Sequence, residues 1–399
     1  MQLKTILIHI SLLVALTVLT FFIFQHIQPI VSYEKVPLAD GNQYSKIYYF
    51  FKKGANHQQV SFPIHSRIFV PYLASLFTGN KIIANFQAVN FIFTILSVLS
   101  IYLLWRKLKI SKTLVAIGFF WLLFHWVGII RLNQLDPITV DVPLYFFQAL
   151  LFLFIIERKY LLIILISLLG TLQKESFTVL ILIVLLYSIY QIVLKKDRPF
   201  DLKWIITAFI ISIITKYLVN YYFPPLEEGR GSVITILYHV RETVYDPFKI
   251  IRWLTAIFMA FGAFIFLSAN KITKVNDDKT IHELLLLFSL AYLFFGIFAG
   301  GDMTRIVYLG FPFIMTYILI ALSQYHFKIT LSALILSIPL MRLWQNIPDA
   351  GSEWEAFKNW YPEFADSKFV LLWLGYGLFC FMVLFLIKKY ALNTLIMKE

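Results

Sequence analysis

The feature that most constrains this chain is a run of about twenty apolar residues that recurs from one end to the other. The first is "TILIHISLLVALTVLTFFIF", residues 5–24. A helix of that length crosses the ~30 Å hydrocarbon core of a bilayer. Inside lipid every backbone N–H and C=O must be satisfied within the protein, so only helices or closed barrels can cross. A barrel needs ten-residue segments of alternating polarity, and the sequence has none. The expected fold is therefore all-α, a polytopic transmembrane helical bundle. The apolar segments are 4–26, 83–105, 113–131, 139–156, 160–172, 176–194, 204–222, 250–270, 282–299, 306–325, 329–342 and 369–387. Segments 160–172 and 329–342 are short, which gives about eleven to twelve spans. Charged residues make up 14% of the chain, against roughly 25% in soluble domains. That leaves no room for a soluble domain, and residues 1–399 read as a single integral membrane domain. The first run is long for a secretory leader and has no small-residue cleavage site, so it reads as an uncleaved span.

The net charge is +13. The cations cluster in short loops, which points to membrane orientation and away from nucleic acid. The clusters are Arg106, Lys107, Lys109 and Lys112; Arg158 and Lys159; Lys195, Lys196 and Arg198; Lys271, Lys274 and Lys279; Lys328; and Lys388 and Lys389. They share one side if "TLQKESF" (171–177) is a hairpin turn. That side, with both termini, is expected to be cytoplasmic. The absence of any Asn-X-Ser/Thr acceptor favours a bacterial inner membrane over a secretory one. The other side receives the long loops 27–82 and 343–368, a medium loop 223–249, and turns at 132–138, 173–175 and 300–305.

On that outer side the charges form five groups: Asp40; Arg67; Arg131, Asp136 and Asp141; Lys174, Glu175 and Lys216; Asp302 and Arg305. Ionisable groups at membrane depth are costly unless they pair or face water. Five groups on one side suggest a shared polar cavity. Each also has a plainer reading. Asp40 caps a helix start, Arg67 snorkels to the interface, and Asp136-Pro137 is an N-cap with an N1 proline. Lys174–Glu175 and Asp302–Arg305 are local ion pairs. Asp141 resists such a reading, because it lies inside its apolar segment with Pro143 two residues on. Residues 43–52 form an amphipathic helix with Tyr44, Ile47, Tyr48 and Phe51 on one face, lying along the interface. Residues 68–77 are too short to span and read as re-entrant. Arg67, Arg131, Lys174, Lys216 and Arg305 would give the cavity an excess of cations, suited to a phosphate-bearing amphiphile. A carboxylate beside them can act as general base towards a hydroxyl. The histidines show no metal-ligand spacing. Cys380, the sole cysteine, excludes disulfides and thiolate metal sites.

At these residues the chain resembles the GT-C superfamily of polyprenyl-phosphate-dependent glycosyltransferases, particularly its mannosyltransferase-like bacterial membrane proteins. The matching pieces, in order, are "ADGNQYSKI", "FPIHSRIFVPYLASLF", "NFQAVNFIF", "LDPITVDVPLYFFQALLFLF", "LLGTLQKESFTVL" and "GGDMTRIVYLGFPFI", within residues 30–315. The resemblance implies a catalytic carboxylate and an interfacial helix in the first outer loop, and a lipid-linked sugar donor whose tail lies between helices. Asp40 matches the acidic position. Where the family often has a second adjacent acid, this chain has Gly41, with Glu34 nearby. Arg67, Lys174 and Arg305 would then bind the donor phosphate. Tyr44, Arg131, Asp136, Asp141, Glu175, Lys216 and Asp302 would support the cavity. No cofactor is required, although a divalent cation between Asp40 and Asp136 is compatible with the residues. The expected function is sugar transfer from a polyprenyl-phosphate donor to an acceptor hydroxyl on the outer face. The competing reading is a transporter or flippase for a lipid-linked or anionic solute. The aromatic loop 343–368, with Trp344, Trp354, Trp360 and Tyr361, either stacks on sugar rings or forms an interface belt.

Overall fold

The computed structural model describes residues 2–37, 39–54, 60–195, 200–226, 231–268 and 279–396. Helix α1 (Gln2–Ile27) is the first apolar run, and its Leu12, Leu16 and Leu19 are exposed, as lipid-facing side chains are. The amphipathic helix expected next is α2 (Asp40–Lys53), which buries Tyr44, Ile47 and Tyr48 and ends at Gly54 in the left-handed region. The short segment at 68–77 is α3 (Phe69–Ser75). After α4 (Ile82–Lys107), α5 (Lys112–Phe124) stops early although the apolar run continues. The chain turns at His125, whose Nδ1 accepts from the Val127 amide while Nε2 donates to the Met259 carbonyl. Helix α6 (Arg131–Leu135) follows, then α7 (Val142–Ile156) with Pro143 in its first turn, where proline's missing N–H costs nothing.

Helices α8 (Tyr160–Gln173) and α9 (Ser176–Lys195) form the hairpin, with Lys174 and Glu175 between them. Gly170 makes their close approach: a Cβ there would lie 2.5 Å from the Phe177 ring. Beyond α10 (Leu202–Tyr222) comes α11 (Ser232–Tyr245), then α12 (Phe248–Phe261) and α13 (Phe264–Ser268). The last two are parted at Gly262, whose φ of 62° suits glycine. Helix α14 (Lys279–Phe298) precedes α15 (Met303–Leu309) and α16 (Phe311–Leu322), which are one apolar run bent by 70°. Helices α17 (Phe327–Met341), α18 (Trp354–Lys358) and α19 (Ser367–Ile396) complete the chain. Among the described residues the only β feature is an isolated bridge, Val60 to Pro225.

Each of the twelve apolar segments carries helix among its described residues, but fewer than twelve are full spans. Six helices (α1, α4, α9, α10, α14 and α19) are long and apolar enough to cross, and the bent α15–α16 pair makes a seventh if counted as one. Helices α5, α7, α8 and α17 are apolar but have only 13 to 15 residues, or about 20 Å at 1.5 Å per residue.

The molecule has two chemically distinct ends. At one, Glu157 pairs with Lys107 and Lys159, and Glu283 with Lys195 and Lys279. The basic loops thus gather as the hairpin at 171–177 requires; Lys196, Arg198, Lys271 and Lys274 lie outside the described residues. At the other end the first and last long loops are clasped. Gln28 exchanges two hydrogen bonds with Ile347, both 2.9 Å, and Ser32 donates to Asp349 at 2.6 Å.

Candidate functional site

At the end opposite the basic loops, five stretches far apart in sequence enclose a cavity of about 550 Å³. Asp40, in the first turn of α2, enters from one side. Arg67 comes from the segment before α3, Lys174 and Glu175 from the α8–α9 turn, Lys216 from α10, and Asp302 and Arg305 from the start of α15. The walls between them are apolar, with Phe62, Ile64, Phe295, Ile306 and Leu309. A polar floor with greasy walls suits a ligand that is itself amphiphilic.

The charges are extensively paired. Arg67 holds Glu175 in a two-pronged bond, Nε–Oε2 3.0 Å and Nη2–Oε1 2.7 Å, and its third arm donates to Tyr44 Oη at 3.0 Å. Asp141 receives Lys174 at 2.8 Å on one oxygen and Arg305 Nε at 2.5 Å on the other. Arg305 also reaches Asp302 at 3.3 Å and Asp40 at 3.6 Å. Charge-assisted pairs of this kind fix geometry as well as charge. Arg67, Lys174 and Arg305 are thus paired with Asp40, Asp141, Glu175 and Asp302, and with Lys216 the formal charges number four against four. The cation excess expected from the sequence is absent. Lys216 is the exception in the pairing, since it lines the cavity and pairs with no carboxylate among the described residues.

The side chain of Asp40 makes no capping hydrogen bond to its helix and stays 36% exposed, facing Arg305. Asp302 sits at the N-cap of α15, also without a capping bond, and turns to Arg305 instead. Asp136 ends α6; it does not start a helix. Its carboxylate accepts from Tyr33 Oη at 2.6 Å, and the same oxygen of Tyr33 accepts the Ile138 amide. Burial pushes Asp136 up to about 6, against the pull of the Tyr33 hydrogen bond. It stands behind the cavity wall, as do Tyr44 and Asp141.

Arg131 is not part of this site. It is 1% exposed, and its guanidinium donates to four backbone carbonyls: Phe124, Met341, Arg342 and Gln345, at 2.5 to 3.2 Å. The α5 and α17 C-termini leave such carbonyls unpaired, and Arg131 closes them. Trp360 and Tyr361 are likewise buried, edge-on to Trp126, with Arg342 over Trp360 at 4.4 Å; of the four aromatics singled out in that loop, Trp344 and Trp354 are exposed.

Sequence reasoning missed three residues of this region. Gln43 lines the cavity with a buried Oε1 that has no hydrogen-bond partner among the described residues. Its place one turn after Asp40, on the same helix face, was the available signal. Tyr33 and Glu363 gave none, because each acts through a partner distant in sequence: Asp136 for the first, Thr304 for the second. Among the described residues no three of His, Cys, Asp and Glu come together as a metal site. No family model, curated protein or solved structure matches this chain.

Proposed function

We propose that this protein is a membrane glycosyltransferase of the GT-C type, moving a sugar from a polyprenyl-phosphate donor to an acceptor hydroxyl at the outer face of a bacterial inner membrane. The observation that carries this reading is the single cavity in which an accessible carboxylate, Asp40, faces Arg305 while Arg67, Lys174 and Lys216 line the same apolar-walled space. A lipid phosphate needs cations for its head and hydrocarbon for its tail, and this space offers both. Lys216 supplies charge that no acid among the described residues claims, and Gln43 offers a buried oxygen without a partner among those residues to a sugar hydroxyl.

The step is a direct displacement. The acceptor oxygen bonds to the anomeric carbon and its proton passes to the Asp40 carboxylate. The bond from the anomeric carbon to the phosphate oxygen breaks, and the electron pair leaves with the phosphate. Lys216 and Arg305 stabilise the charge that develops there, an effect strongest in a dry, preorganised site. The assay is transfer of labelled sugar from a polyprenyl-phosphate donor in proteoliposomes. Asp40→Asn should reduce transfer at least about a hundred-fold, in the range set by loss of a general base, with the melting temperature unchanged. Full activity in that variant removes Asp40 as the base.

The 70° break between α15 and α16 favours a second reading, a transporter or flippase, since transporters build sites at broken helices. Gradient-driven uptake without sugar transfer in the same proteoliposomes selects it.

A further inference from the structure

A second cavity, of about 690 Å³, lies beside the first, and Gly300 and Gly301 line both. Helix α11 walls both as well. Its Ser232, Thr235 and Ile236 border the first, and His239 and Glu242 the second. The opposite face of α11 carries exposed Val233, Leu237, Val240 and Val244, the pattern of a helix lying on lipid.

Its chemistry is not that of the first. Lys249 is engaged, at 2.9 Å from Glu242 and 3.1 Å from His239. Arg241 and Arg252 line the cavity with no carboxylate partner among the described residues. Arg241 lies over the Tyr245 ring at 5.4 Å, and Arg252 lies over the Phe248 ring at 5.4 Å and reaches the backbone oxygen of Glu363 at 3.4 Å. Guanidinium forks match the two-oxygen edge of phosphate and carboxylate groups. Tyr238, Tyr245 and Phe364 add ring faces to the same walls. Asp246 and Glu363 line it too, but the first accepts the Phe248 amide and the second is engaged by Thr304, so two guanidinia without a carboxylate partner among the described residues, set among aromatic faces, suit an anionic saccharide. Gly301 is the seam. A Cβ there would meet nothing within 4 Å, so the space beside it is open, and Asp302 and Arg305 of the first cavity follow directly.

We propose that the second cavity is the acceptor site, that it takes a saccharide bearing a phosphate or carboxylate read by Arg241 and Arg252, and that the reacting hydroxyl passes Gly301 to reach Asp40. This rests on the transferase reading, with the same bonds made and broken. Three arms test it on the full chain in nanodiscs. Calorimetric binding of glucose 1-phosphate should be detected and weakened at least ten-fold by Arg241→Gln and by Arg252→Gln, with glucose binding at least ten-fold more weakly than its phosphate. Arg241 is exposed, so its variant is expected to fold, and an unchanged melting temperature verifies this. In the second arm, a polyprenyl diphosphate saccharide in the nanodisc should displace glucose 1-phosphate if the acceptor is lipid-borne. Failure to displace, with glucose 1-phosphate still bound, identifies a free saccharide. In the third arm, Gly301→Leu should leave glucose 1-phosphate affinity within two-fold of wild type and lower transfer at least a hundred-fold. Wild-type affinity in both arginine variants, or glucose binding as tightly as its phosphate, overturns the anion site. Full transfer in Gly301→Leu overturns the passage. Arginine-dependent binding in a wild-type protein that transfers no sugar retains the site and refutes the transferase reading instead.

Discussion

Glu363 offers the sharpest numerical test of how the last long loop is held. Its carboxyl is 8% exposed and meets both polar atoms of Thr304 in the first turn of α15, amide and hydroxyl each at 3.1 Å. Burial pushes this carboxyl up to about 8 from an ordinary 4.5, against opposing hydrogen bonds, and the nearby Asp302 charge adds to the rise. A raised acid favours the latched loop only while it keeps its proton. Below pH 4.5 the latched and released forms are both protonated, and pH has no leverage through this group. From there up to about pH 8 the released form ionises and the latched form does not, so the latch weakens with rising pH. One pKa unit corresponds to about 1.4 kcal/mol. Between pH 5 and pH 8 the loss is on the order of 3 kcal/mol, or a hundred-fold in the opening equilibrium. Glu363→Gln keeps an oxygen for the amide and an N–H for the hydroxyl, and it does not titrate. Amide hydrogen exchange over residues 354–366, variant against wild type at each pH, cancels the intrinsic pH dependence of exchange. Protection should be similar at pH 5 and about a hundred-fold greater in the variant at pH 8. A variant-to-wild-type ratio that stays flat across that range would mean that Glu363 is ionised in the latched loop, and the reasoning fails.

Two further predictions concern packing. Arg131→Met should cost about 3–5 kcal/mol, because it strands four carbonyls at and just beyond two helix ends, two of them fully buried, and thermal melts should show it without any change in glucose 1-phosphate affinity. A wild-type melting temperature in that variant refutes the assignment of Arg131 as a structural clasp. Gly170→Ala should destabilise by about 1–3 kcal/mol by driving a methyl into the Phe177 ring, and Phe177→Leu in the same chain should recover part of the loss. Additive losses in the double variant would show that the two residues do not meet.

Helix positions were legible because hydrophobic runs of this length leave the backbone no other option in lipid. What ended them was not. The run through 131 looks continuous, yet α5 ends at Phe124 because His125 is claimed by the Met259 carbonyl, 134 residues away. The run 250–270 divides at Gly262, where Ser337 Oγ accepts the Ala263 amide. Gly262 is a local mark of the second break, but nothing local marks the first, and span counting overshoots where such breaks go unread. The interfacial α2 is legible from its period, whereas α11, with the same kind of period, lies in the stretch 223–249 expected to be a loop. Its apolar positions 233, 237, 240 and 244 were a readable signal.

For the site, one-dimensional reasoning located the charges and misjudged what they do. Arg67 and Arg131 look alike in sequence, each a single arginine in an apolar setting. The difference is what the fold brings to them: a carboxylate two-pronged on Glu175 for the first, the carbonyl ends of two helices for the second. Only the first arrangement leaves the residue on a cavity. Counting cations therefore overstated the positive field, and pairing cancels most of it. That cancellation sharpens the functional reading. A cavity with four unpaired cations would be a general anion trap, whereas in this one Lys216 is the cation without a carboxylate partner among the described residues, and it shares the cavity with the Asp40–Arg305 pair. Paired side chains are held still, and still groups stabilise developing charge without reorganising. The network around Asp141 is thus a frame that aims Lys174 and Arg305, and the chemistry assigned to Asp40 depends on that frame staying assembled.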